Sequence, residues 1–214
     1  MQLNKYIEHT NLKSTATLKD IEKLCNEAIK YHFASVCVYP YYVRLAKKLL
    51  KNTNIEVCTV VGFPTGIQTR EAKVYEAIDA VSKGADSIDM VINISALKNK
   101  DYEYIKEEIE EIRDAIDGKI LKVIIETNLL TDKEIVKMTE ICNETYVNYI
   151  KTCTGFNGGV TIEQVDIIAK HKNDLLEIKA SGGIKDKKFL IELIDNGASK
   201  IGTSSGVSIM EEKE

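Results

Sequence analysis

Eight short apolar runs recur along the chain, each separated from the next by a stretch of helical periodicity. They centre near residues 7, 36, 58, 89, 122, 150, 178 and 201. Such strand–helix alternation implies a parallel sheet, because parallel neighbours are reached through a crossover. Runs that are almost continuously apolar imply burial on both faces. The expected fold class is α/β: a (β/α)8 TIM barrel, a single domain over residues 1–214, with a short N-terminal helix ahead of the first strand. A chain of 214 residues holds eight such units with little room for insertions. An open doubly wound sheet is the alternative. No G-x-G-x-x-G follows the first run, which counts against a dinucleotide fold.

The helical stretches carry their own start signals. Thr17 is placed to cap a helix whose apolar stripe is Leu18, Ile21, Leu24, Cys25 and Ala28. Residues 69–83 read as a helix with Val74, Tyr75, Ile78 and Val81 on one side. Ile105, Ile109, Ile112 and Ile116 recur at helical spacing. Thr131 with Glu134 and Thr161 with Gln164 are capping-box patterns, and Asp186 caps a further helix. The charged end, residues 211–214, reads as a frayed tail.

Composition excludes several classes. A net charge of −4 argues against nucleic-acid or membrane partners, which favour basic surfaces. No stretch is long and apolar enough for a membrane span. Cys25, Cys37, Cys58, Cys142 and Cys153 make an odd number with no C-x-x-C pair, so neither a disulfide framework nor a zinc site is suggested. Reduced thiols and the lack of an apolar leader point to a cytoplasmic protein. His9, His32 and His171 show no metal spacing, and no metal is expected.

The chemistry should sit at the C-terminal ends of the strands. The polar residues there are Asp89, Lys122, Glu126, Lys151, Thr154, Lys179 and Ser204. Lys151 stands out, within the apolar half of Tyr149-Ile150-Lys151-Thr152-Cys153-Thr154-Gly155-Phe156. Burial disfavours a charged lysine, and a neutral amine attacks carbonyls. The plain alternative is a strand-end lysine whose head reaches water. Asp89 paired with a lysine could equally be a structural ion pair. A working set needs one neutral nucleophile, one cationic partner in Lys179, and Asp89 as the anion between them. Cys153 shares the extended-strand parity of Lys151 and, with Cys37, reads as packing. Glycine- and serine-rich segments at 154–155, 181–183 and 202–205 suit phosphate.

These residues lie in motifs that resemble the deoxyribose-phosphate aldolase family of class I, Schiff-base-forming aldolases. The motifs are IEHTNLK at 7–13, SVCVYP at 35–40, VVGFPTG at 60–66, SIDMVINISALK at 87–98, LKVIIET at 121–127, YIKTCTGF at 149–156, IKASGGI at 178–184 and IGTSSG at 201–206. The resemblance implies reversible retro-aldol cleavage of 2-deoxy-D-ribose 5-phosphate to D-glyceraldehyde 3-phosphate and acetaldehyde, in deoxyribose phosphate catabolism. It implies Lys151 as the Schiff-base lysine, with Asp89 and Lys179 as proton donor and acceptor. Thr154, Gly155, Gly182, Gly183, Gly202, Ser204 and Ser205 are implied to bind substrate and its phosphate. No cofactor is implied; the partner is a small phosphosugar, and a homodimer is the expected assembly. Three positions depart from the family pattern: Glu8 replaces an aspartate, Ser14 a proline, and Phe156 a lysine of some members. No role is carried to Glu8. Competing readings are a related aldolase acting on another phosphosugar and a non-catalytic phosphate-binding barrel.

Overall fold

The structure is a computed structural model and describes residues 1–212. Its eight strands are β1 (Ile7–Asn11), β2 (Ser35–Val38), β3 (Glu56–Val61), β4 (Ser87–Val91), β5 (Ile120–Ile124), β6 (Tyr149–Lys151), β7 (Glu177–Ser181) and β8 (Lys200–Thr203). All neighbours pair in parallel, and β8 returns to β1, so the sheet closes into a barrel in sequence order. The open-sheet alternative is thereby excluded. The short N-terminal helix is a single 3-10 turn, Leu3–Lys5.

The outer ring is α1 (Leu18–Tyr31), α2 (Val43–Leu49), α3 (Arg70–Ser82), α4 (Ile94–Lys98), α5 (Tyr102–Ala115), α6 (Asp132–Glu144), α7 (Ile162–His171), α8 (Lys187–Asp195) and α9 (Gly206–Glu211). The caps follow the sequence. Thr17, Thr131 and Thr161 each accept from the third backbone N–H while an Asp, Glu or Gln side chain returns the bond. Each such cap is worth about 1 kcal/mol. Glu211 closes α9 and accepts from Tyr31 Oη, so the expected fraying does not begin at residue 211. Residues 213 and 214 of that expected tail lie outside the described residues.

Alternation along each strand divides the apolar residues into two clusters. The large one lies between strands and helices and holds residues such as Ile88, Met90, Leu121, Ile105, Ile109 and Ile112. The small one, Cys37, Cys58 and Val60, is packed by Leu12, Tyr39 and Phe63. Much of the remaining inward space is taken by charged side chains, which is why the second cluster is small.

Two helical faces differ from their sequence reading. Leu18 is 58% exposed, while the rest of its stripe is buried. In α3 the buried residues are Lys73, Ala77 and Ala80, while Tyr75 and Ile78 face outward. Small alanines let α3 approach the barrel closely. The third buried position is filled by an ion pair: Lys73 Nζ donates to Glu108 Oε1 of α5 at 2.6 Å and to the carbonyl of Val91 at 2.8 Å. Glu108 Oε2 accepts from the Asn93 N–H at 3.1 Å. The pair therefore ties both helices to the exit of β4.

Burial pushes the Lys73 ammonium down and the Glu108 carboxyl up, against their mutual attraction. Desolvation outweighs pairing on both sides, so the pair secures geometry more than stability. Lys73→Met alone should destabilise the protein by about 3–5 kcal/mol, because Glu108 is left buried and unpaired. Adding Glu108→Leu should recover most of that loss in urea unfolding. A double variant as unstable as the single one would show that the bonds to Val91 and Asn93 dominate.

Candidate active site

Strand register assembles the site. Asp89 on β4 is the register partner of Lys122 on β5, and Lys151 on β6 is that of Lys179 on β7. Glu8 enters from β1, which closes the barrel against β8. The five charged groups meet inside the barrel. Asp89 Oδ2 accepts from Lys151 Nζ at 2.7 Å and from Lys179 Nζ at 2.5 Å. Asp89 Oδ1 lies 3.0 Å from Lys122 Nζ and accepts from the Cys58 thiol at 3.1 Å. Glu8 takes a second bond from Lys179, accepts from the Ser35 hydroxyl at 2.9 Å, and lies 3.6 Å from Lys122. Lys122 also donates to Ser87 Oγ at 2.7 Å.

Burial alone would push both carboxyls up. Lys122, Lys151 and Lys179 outweigh it at Asp89 and hold that group well below the usual carboxylate range. Lys122 and Lys179 do the same for Glu8, which falls to about 2. The reverse holds for the cations. Burial lowers Lys122 and Lys179, and Asp89 with Glu8 more than compensates, so both ammonium groups are held above the ordinary lysine value. Two anions and two cations then balance, and Lys151 is the fifth group. It differs in access as well: the other four are completely buried, whereas Lys151 is 4% exposed and lines the cavity above.

That cavity is about 740 Å³ and opens at the C-terminal ends of the strands. Thr154, Gly155, Gly182, Gly183, Gly202, Ser204 and Ser205 all line it, together with Lys151. Their parts are not alike. Gly182 has φ +97°, and a Cβ there would lie 3.0 Å from Cys153 Cβ and 3.1 Å from the Gly158 carbonyl oxygen, so only glycine fits. At Gly202 a Cβ would come within 3.0 Å of Ser181 Cβ and 3.1 Å of Lys179 Cε, so a side chain there would crowd both. Its absence makes room for the lysine. Thr154 has both donors committed, its N–H to Glu126 Oε1 at 3.2 Å and its hydroxyl to Glu126 Oε2.

Glu126 holds the loop beside Lys151, and its own backbone is left-handed at φ 55°. That conformation is costly for a residue with a side chain, and it is found where surrounding contacts over-determine it. Asn157 Nδ2 adds a third bond to the same carboxylate at 3.3 Å. Cys153 takes no part in the charge cluster. Its sulfur lies against Thr127 Oγ1 at 3.2 Å and Asn128 Nδ2 at 3.5 Å, and burial pushes its thiol up. Phe156 packs edge-on to Phe63 at the cavity mouth.

Sequence reasoning passed over Glu8 and gave Lys122 no role. The signal was partial: Glu8 lies in a short, mostly polar strand, IEHTN, but at a parity that faces the interior. His9 is also closer to the site than its scattered position suggested. It lines the cavity wall and pairs with Glu27 Oε2 at 2.8 Å.

Residues 3–211 match the family described as DeoC/LacD family aldolase. A protein of Finegoldia magna named deoxyribose-phosphate aldolase is 51% identical over 212 residues, covering 99% of this chain and 100% of its own. One of Clostridium tetani with the same name is 48% identical over 216 residues, with both chains fully covered. Among solved structures, a tetrameric deoxyribose phosphate aldolase from Aeropyrum pernix superposes with a TM-score of 0.91 at 30% identity, covering 98% of this chain and 89% of its own.

The depressed carboxyls couple stability to acid. Unfolded Glu8 titrates near 4.5 and folded Glu8 near about 2. Its contribution is fully present above the unfolded value and is lost as pH falls toward the folded one. The difference corresponds to about 3 kcal/mol. Unfolding free energies from urea titrations should therefore decline steeply from about pH 5 downward. Glu8→Gln should be less stable at neutral pH, by about 3–5 kcal/mol, and should show a shallower acid decline. An unchanged slope would mean that Glu8 is not held ionised in the folded state.

Proposed function

The chain belongs to the DeoC/LacD aldolase family, and we infer from that premise and from the site that it cleaves 2-deoxy-D-ribose 5-phosphate reversibly to D-glyceraldehyde 3-phosphate and acetaldehyde. It is a class I aldehyde-lyase of deoxyribose phosphate catabolism. The observation that carries our assignment of residues is that three lysines face two buried carboxylates and Lys151 alone of the five groups lines the cavity.

The chemistry follows from that asymmetry. Lys151 can give up its proton without leaving a buried carboxylate unpaired, because Lys122 and Lys179 still balance Asp89 and Glu8. The neutral amine attacks C1 of the open-chain sugar, and loss of water gives an iminium. The iminium holds a permanent positive charge beside Asp89, whose Oδ2 lies 2.7 Å from Lys151 Nζ. The cluster carries one excess positive charge, so Lys179 holds its proton less tightly. It becomes able to exchange protons with the substrate through Asp89 and water. The C3 hydroxyl is deprotonated, the C2–C3 bond breaks, and its electron pair enters the iminium as an enamine. Glyceraldehyde phosphate leaves; C2 of the enamine is protonated, and hydrolysis releases acetaldehyde and Lys151. The electron sink is the imine, so the step needs no organic cofactor.

Gly182, Gly183, Ser204 and Ser205 are the proposed phosphate contacts, on the late loops where barrels commonly hold that group. Gly155 serves close approach, Gly202 makes room for Lys179, and Thr154 acts through Glu126. The reading takes residues 1–214 as one aldolase domain in the cytoplasm, where the five free thiols would stay reduced. It takes the assembly as a homodimer, with outward-facing Tyr75 and Ile78 of α3 as the supporting surface.

Acetaldehyde with borohydride should leave a two-carbon adduct on Lys151, located by peptide mass mapping. Lys151→Arg should abolish the adduct and lower turnover on the order of 1000-fold, about 4 kcal/mol of barrier, with the fold intact by circular dichroism. An adduct on another lysine would move the chemistry elsewhere. Ser204→Asp should raise KM for the phosphorylated sugar by at least about tenfold and leave that for unphosphorylated deoxyribose nearly unchanged. Equal effects on both substrates would place the phosphate away from Ser204.

A further inference from the structure

The cavity over Lys151 is lined from one side of the barrel mouth. Its lining comes from the exits of β1, β6, β7 and β8 and from α1, and among the described residues none of it lies between residues 28 and 150. Rings roof the other side. Phe63, after β3, packs edge-on to Tyr39, after β2, with centroids 5.9 Å apart, and edge-on to Phe156, after β6, at 5.5 Å. Tyr39 and Phe63 stand in turn on the inner apolar cluster of Cys37, Cys58 and Val60. Phe156 thus ends a ladder of rings that crosses the mouth from β2 to β6, and it is the one phenyl ring in the cavity wall. It is 61% exposed, yet its backbone is fixed. Its N–H donates to Thr154 Oγ1 at 3.1 Å, and Glu126 holds both Thr154 and Asn157 on either side of it. A lone exposed phenyl is ordinary. One held from both sides in the wall of the reaction cavity, five residues after the Schiff-base lysine, calls for a use. The N–H of Phe156 is committed within its own loop, so what it offers a ligand is the ring. The cavity therefore has two textures: polar loops after β7 and β8, and an apolar ring after β6.

Resting on the aldolase reading above, we propose that Phe156 is a specificity-determining residue for the acceptor aldehyde. Its free face holds the aliphatic tail of an unphosphorylated acceptor during carbon–carbon bond formation. In that direction the π pair of the enamine on Lys151 forms the new bond to the acceptor's carbonyl carbon. The carbonyl pair passes to oxygen, which takes a proton, and water then frees the product from Lys151. A phosphorylated acceptor directs its tail to the glycine and serine loops. An alkyl tail finds no partner for its surface among those backbone donors and is removed from water by lying on the ring. Phe63 sets the ring's position by backing its edge.

The test has a kinetic arm and a binding arm. With acetaldehyde as donor, kcat/KM should rise from propanal through butanal to hexanal, by about two- to fourfold for each added CH2. Phe156→Leu should keep most of that rise. Phe156→Ser should flatten it, lowering the hexanal value about tenfold relative to that for D-glyceraldehyde 3-phosphate. The chain has no tryptophan, so Phe156→Trp places a single indole at the mouth. Its emission should shift to the blue with 1-hexanol, which forms no imine, and the midpoint should fall about two- to fourfold per CH2 along the alcohol series. Tyr75→Trp, on the exposed face of α3, is the control and should not respond. Product from no acceptor in the parent chain would overturn the aldolase reading, while the indole titration would still decide the tail contact. A chain-length rise that survives in Phe156→Ser, or an indole at position 156 no more responsive than one at position 75, overturns the proposal.

Discussion

Three lysine side chains from β5, β6 and β7 converge on the carboxylate of Asp89 inside a closed barrel. A lone carboxylate there would take up a proton, and a lone lysine would give one up. Neither could then serve as the fixed charge that imine chemistry requires. Sharing changes this. Lys122 anchors one oxygen, Lys151 and Lys179 share the other, and Glu8 supplies the second negative charge. The set is neutral only when one lysine lacks its proton. The lysine that meets the cavity is Lys151.

The rest of the barrel can be understood as holding that arrangement still. Gly202 leaves the space through which Lys179 reaches Asp89. Glu126, in a left-handed conformation, ties down the loop that follows Lys151. Lys73 and Glu108 clasp the exit of β4, two residues beyond Asp89. The last two bury charge where an apolar residue would cost less, and both fix a strand end. The thiols of Cys37 and Cys58 fill what is left of the interior.

The barrel was legible because its signals are local and repeated. Strand period, helix period and the capping pairs at Thr131 and Thr161 each depend on a few adjacent residues. Asp89, Lys151 and Lys179 were legible for a related reason: a charge inside an apolar strand is locally out of place. Glu8 is less conspicuous, because β1 is short and mostly polar, and the meaning of Glu8 depends on closure of β1 against β8. Lys122 needed the register with Asp89. The α3 stripe was misread because its buried face is Lys73, Ala77 and Ala80. Only the partner Glu108, on α5, makes a lysine belong there. What sequence hid in each case was a contact between distant strands or helices.

The central claim is a distribution of protons, and neutron diffraction from crystals exchanged into heavy water at neutral pH observes it directly. Asp89 and Glu8 should carry no deuterium, and Lys122 and Lys179 should carry three each on Nζ. Crystals holding a reduced acetaldehyde adduct should show the same pattern around a substituted Lys151. Deuterium on Asp89, or only two on Lys179 in the substrate-free protein, would contradict the account.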